Sequence, residues 1–150
     1  FDAAKHALDS GKAAEVFARM VSALGGPKDF VERAAHYLPA APVIQPVNAE
    51  RDGFVSAVAT RDIGLAVVAL GGGRTRPQDP VDHAVGFTKL LPVGAGVRKG
   101  EPLAFVHAGT QDAADAAAKG VGECYRLSES KPARRDAVIR RIEAKPTASE

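Results

Sequence analysis

The chain reads as an α+β protein, on three observations. Its first forty residues carry the three- and four-residue apolar spacing of helices. Prolines then gather at Pro39, Pro42 and Pro46, where helix is excluded and an extended connector is favoured. Beyond them come short apolar runs broken by glycine, the pattern of strands and tight turns, with two helical stretches set among them.

The helical opening divides in two. In "SGKAAEVFARMVSALGGP" the residues Ala13, Val16, Phe17, Met20, Val21 and Leu24 fall on one stripe, which predicts a buried face. Ser10 suits the N-cap of that helix and Gly25-Gly26 its end. Pro27 suits the first turn of a second helix, "PKDFVERAAHYL", with Phe30, Ala34 and Leu38 turned inward. Such helices need a partner layer, and no parallel sheet follows to supply it. They read as the tail of a larger domain, and Phe1, in place of an initiator methionine, fits a piece of a longer protein.

"VIQPVNA" and "GFVSAVAT" predict strands, with Arg51-Asp52-Gly53 as the turn between them. Thr60 predicts the cap of a helix through "RDIGLAVVAL", with Asp62 in the first turn where negative charge is favoured. "HAVGFTKLLPVGAGVRKGEPLAFVHAG" predicts short strands and turns. "TQDAADAAAKGVGECYRL" predicts an alanine-rich helix capped by Thr110 and weakened by Gly120 and Gly122. "DAVIRRIEA" reads as a final strand and "KPTASE" as a frayed end.

Composition narrows the function. The chain of 150 residues is 45% hydrophobic and 25% charged, as a globular domain is. Its formal charge of +2 is small, and the basic cluster Arg134, Arg135, Arg140 and Arg141 has no interleaved aromatic residues to stack on bases; nucleic acid is not a predicted partner. No apolar run approaches the ~20 residues that cross a bilayer, so no membrane partner is predicted. A single cysteine, Cys124, excludes an internal disulfide and fits a reducing, cytoplasmic setting.

The triplet Gly71, Gly72, Gly73 followed by Arg74 raises the question of a phosphate loop. Phosphate is held where a glycine loop opens a helix, at unpaired N–H groups and the positive dipole end. Here the apolar run "IGLAVVAL" precedes the glycines, so the triplet predicts a helix C-terminus, with carbonyls outward and Arg74 against them. The GK[ST] and GxGxxG spacings are missing. Asp79, Asp82 and His83 match no ligand spacing. His6, His36 and His107 lack a nearby nucleophile, and Cys124 lacks an activating neighbour.

"VGAGVRKGEPLAFVHAGT" resembles the half-barrel hairpin of biotinyl and lipoyl carrier domains, with Gly94, Val97, Gly100, Leu103 and Val106 on the framework positions. The carrier lysine would fall at Thr110, which has no amine, and Lys99 lies too early. A carrier-like or interaction module without enzymatic activity is therefore an alternative reading.

"GKAAEVFARMVSALGGPKDFVE", "YLPAAPV", "GLAVVALGGGR", the aspartates before "VGFT", "KGEPLAFVHA" and "VIRRIE" together resemble the thymidine and pyrimidine-nucleoside phosphorylases, over about Asp2 to Ile142. The resemblance implies the C-terminal portion of such an enzyme: an α/β-hammerhead with the carrier-like half-barrel, preceded by helices of a larger α/β domain. It implies domain limits of 1–42 for the helical tail, 43–143 for the C-terminal domain and 144–150 for a disordered tail. It implies a homodimer that converts thymidine and phosphate to thymine and 2-deoxy-α-D-ribose 1-phosphate, with a nucleoside-monophosphate (AMP-type) phosphorylase as the related alternative. Phosphate and pyrimidine nucleoside then bind in the missing N-terminal part, since no residue here matches the family's lysine, serine and arginine groups. No catalytic, phosphate-binding or metal residue and no cofactor is assigned; Gly71, Gly72, Gly73 and Arg74 are read as a structural loop.

Overall fold

The computed structural model describes residues 1–133 and Arg140. The strand expected over 136–144 and the end expected to fray over 145–150 lie outside the described residues. Helices α1 (Asp2–Asp9), α2 (Lys12–Ala23) and α3 (Ala34–Tyr37) come first. Strands β1 (Val43–Asn48) and β2 (Gly53–Val58) precede α4 (Thr60–Val67). Then follow β3 (Gly86–Thr88), β4 (Gly96–Val97), β5 (Pro102–Ala108), α5 (Gln111–Glu123) and β6 (Tyr125–Ser128). The α+β class holds.

The helical opening departs from its pattern in three places. Ser10 closes α1, its amide donating to the His6 carbonyl, and Gly11 stands at the N-cap of α2. The stop at Gly25-Gly26 forms as expected, with the Gly26 amide donating to the Val21 carbonyl at 2.9 Å. Residues 27–33 turn instead of forming the start of a continuous helix, and the Asp29 carboxylate gathers groups from that turn and from α3. It accepts from the Tyr37 hydroxyl at 2.7 Å and from Arg33 at 3.2 Å, while Phe30 packs between Phe17 and Tyr37. The stripe expected to be buried lies open, and neither α1 nor α2 buries any residue.

β1 and β2 do not form the expected hairpin. β1 runs antiparallel to β5, with Val43 opposite Ala108 and Asn48 opposite Pro102, and β3 flanks β5 on its other side. β2 lies between β4 and β6 in a second antiparallel sheet. The connection is held elsewhere: Ala49 exchanges backbone bonds with Glu101 and Gly100 at 2.9 and 2.8 Å, and Asp52 accepts from the Lys99 amide at 2.7 Å. A chain pinned to the 98–101 turn cannot close on itself. Pro46, which has no amide to donate, is tolerated because β1 is an edge strand.

α5 covers one face of the β1–β5 pair. Ala114 and Val121 on α5 meet Ala104, Val106 and Ala108 on β5, all fully buried. Thr110 caps α5 as expected, its hydroxyl accepting from the Ala113 amide at 3.2 Å. The helix ends at Glu123, short of the expected Leu127. Tyr125 and Leu127 are claimed by β2, opposite Val58 and Val55, and Tyr125 is buried with its hydroxyl donating to the Leu91 carbonyl at 3.3 Å. Thr60 is not a cap. The Ala59 amide donates to the Cys124 carbonyl at 2.9 Å, so α4 starts from Ala59 and Thr60 is its first residue.

Candidate functional site

The glycine triplet follows α4. Beyond Val67 the chain makes a wider helical turn over Val68–Gly72, and Gly71 leaves helical geometry at φ 94. That left-handed conformation suits glycine because a Cβ would crowd the backbone. The turn then folds back on the helix: a methyl at Gly72 would lie 2.8 Å from Val67 Cγ1 and one at Gly73 2.7 Å from Val68 Cγ2. The Gly71 carbonyl accepts from the Asp82 amide at 2.9 Å. The triplet thus stands at a helix C-terminus, where the dipole is negative. Arg74 does not cap the last carbonyls; it is exposed, and among the described residues its side chain makes no hydrogen bond.

Two aspartates shape the loop that follows. Asp79 accepts from the Thr75 hydroxyl at 2.6 Å, the Arg76 amide at 2.8 Å and the Thr75 amide at 3.2 Å. The Thr75 hydroxyl, then the Arg76 amide, hold its carboxyl below the ordinary range. Asp82 accepts from the Ala84 amide at 2.9 Å. Both carboxylates are spent on backbone and hydroxyl donors, and His83 is exposed beside them. Among the described residues no group of three His, Cys, Asp or Glu side chains converges to hold a metal ion.

The remaining sequence candidates stand apart. His36 lies edge-on to Tyr37 with ring centroids 5.0 Å apart. Cys124 is buried at the end of α5; burial, then Asp62 and Glu123, push its thiol up, away from the reactive thiolate. Lys99 sits on the turn before β5, and Thr110 opens a helix instead of tipping a hairpin. That geometry offers no amine at the position a carrier domain needs.

One pairing escaped the sequence. The Thr88 hydroxyl lies 2.8 Å from His107 Nε2, because Gly86 pairs with His107 and Thr88 with Phe105 across the β3–β5 ladder. Next to it Lys89, at φ 52, holds its ammonium 5.3 Å from the centre of the Phe105 ring. Nineteen residues separate Thr88 from His107, and only knowledge of strand register could have joined them. A hydroxyl beside an imidazole is half of a nucleophile–base arrangement. Among the described residues no hydrogen bond orients the imidazole's other nitrogen.

The helices among the described residues are too short and polar to cross a membrane. The sequence pattern of the pyrimidine nucleoside phosphorylase C-terminal domain matches residues 54–128, from β2 through β6. Among curated proteins the chain is similar to a thymidine phosphorylase of Mesorhizobium japonicum, 55% identical over 139 residues. It is likewise similar to thymidine phosphorylases of Sinorhizobium medicae, at 52%, and Agrobacterium fabrum, at 49%. Each match covers 93% of this chain and 32% of the relative, so the chain spans about a third of the length of these relatives.

Proposed function

The chain belongs to the pyrimidine nucleoside phosphorylase C-terminal domain family, and from that premise we propose that it is the C-terminal part of a thymidine phosphorylase. The observation that carries this reading is the 55% identity to a relative of that name across 93% of the chain. The proposed reaction is reversible phosphorolysis. A phosphate oxygen attacks the anomeric carbon of thymidine, the carbon–nitrogen bond breaks, and its electron pair leaves with thymine. 2-Deoxy-α-D-ribose 1-phosphate is the other product.

Charge gathers on the departing base and must be met by fixed donors and cations, while the phosphate is held in line. The groups described around the glycine loop do not form such a set. Asp79 and Asp82 face backbone donors, and the negative end of α4 meets the glycine triplet, a poor place for phosphate. Gly71, Gly72, Gly73 and Arg74 accordingly act as structure, and phosphate and nucleoside bind in polypeptide outside the chain. Residues 43–143 form the C-terminal domain, an α/β-hammerhead with a half-barrel around Gly94, Val97, Gly100, Leu103 and Val106. Residues 1–42 belong to the helical layer of a larger domain, and 144–150 are a tail. The enzyme works as a homodimer in the cytoplasm.

The test is to give the full-length protein thymidine and phosphate and follow thymine by chromatography. Thymine should appear only with phosphate present, and the 150-residue chain alone should release none. A folded full-length protein that spares thymidine while cleaving a nucleoside monophosphate would move the substrate class.

A further inference from the structure

A cleft of about 650 Å³ opens beside α5, lined by residues of both sheets. Hollows of about 300–1,000 Å³ are the size that holds small organic ligands. Val47 and Leu103, each 3% exposed, and Tyr125 at 8% give it an apolar floor. On the α5 wall Gly122 carries no side chain, and a Cβ added there would meet only Val47 Cγ1, at 3.7 Å. The walls come from β1, β5, α5 and β6, so the hollow is made by this chain's own packing.

The rim is charged, and its key cation is held in place. Arg51 rides on the segment bonded to the 98–101 turn, and its guanidinium donates to the Leu127 carbonyl. That bond leaves most of its N–H donors for another acceptor. Arg126, next to Leu127, lines the same cleft from β6. Lys119 and Glu123 stand four residues apart on α5, a spacing at which opposite charges offset one another. With Glu50 the rim carries three cations against two carboxylates, an excess of one positive charge. An anion belongs on the Arg51 and Arg126 side, away from the negative end of α5. We propose that the cleft binds a small organic anion, with a flat apolar ring on the Val47–Leu103 floor and a carboxylate or phosphate held by Arg51 and Arg126. Guanidinium groups match such oxyanions with paired N–H donors, and the ring covers apolar surface that an inorganic ion cannot.

Phenyl phosphate and benzoate are the probes, each followed by saturation-transfer NMR on the full-length protein. At least one should bind, and the tighter of the two tells which acid group the site takes. Arg51→Met and Arg126→Met each remove a cation, and Gly122→Leu puts a side chain into the hollow. Each variant, its fold checked by circular dichroism, should weaken binding about tenfold or more. Inorganic phosphate should displace the probe about tenfold less well than the probe displaces itself. Three results would overturn the proposal: no binding of either probe up to about 10 mM, binding that all three variants keep, or equal displacement by inorganic phosphate. None of these readouts uses thymidine cleavage, so this proposal and the phosphorylase reading fail separately.

Discussion

At Gly53 the backbone takes φ 154, and a Cβ there would lie 2.7 Å from the carbonyl oxygen of Ser128. The obstacle is backbone on the paired strand, which cannot swing aside as a side-chain tip can. Gly53→Ala should lower stability by about 1–3 kcal/mol, read as a drop in the thermal midpoint. Asp79 gives a pH signature instead. Its carboxyl titrates below the ordinary value in the folded loop, so the loop's stabilisation is complete above the ordinary carboxylate range. It is lost as pH falls through the depressed folded value. The Thr75 and Arg76 amides should therefore keep constant protection from hydrogen exchange between about pH 7 and 5 and lose it under more acid conditions. Asp79→Ala should abolish that acid-dependent loss, as NMR exchange rates would reveal.

Among the elements, α5 depends most visibly on one local contact. Removing the Thr110 hydroxyl leaves the Ala113 amide without its cap, and Thr110→Ala should cost about 1 kcal/mol in denaturant unfolding. This cap was legible because a hydroxyl residue before an alanine-rich run satisfies the first amides whatever surrounds it. The C-terminal limit of the same helix was not, since Tyr125 and Leu127 carry apolar spacing that either a helix or a strand could use. The partner strand decided it. β1 and β2 were legible as strands for a similar reason, and their separation into two sheets was not. Nothing within residues 43–58 records that Ala49 and Asp52 bind the distant 98–101 turn. In the candidate site the glycine turn followed from its position after an apolar helix, while the Thr88–His107 pair depended on register between strands far apart in the sequence.

Across the whole molecule, the compact part and the helical opening follow different rules. Two three-stranded sheets and α5 bury their apolar residues against one another, whereas α1 and α2 keep theirs in solvent. The pairing of the sheets has a mechanical outcome. β1 and β2 precede the Arg74–Asp82 loop, and each is bonded to strands that follow it: β1 to β5, and β2 to both β4 and β6. Arg74 and Arg76 are exposed on that loop, and Pro77 protects the bond after Arg76 from trypsin. Brief trypsin treatment should nick the chain after Arg74, giving two bands under denaturing conditions. Native gel filtration should still return a single species of unchanged size, because every severed edge remains laced to the other piece.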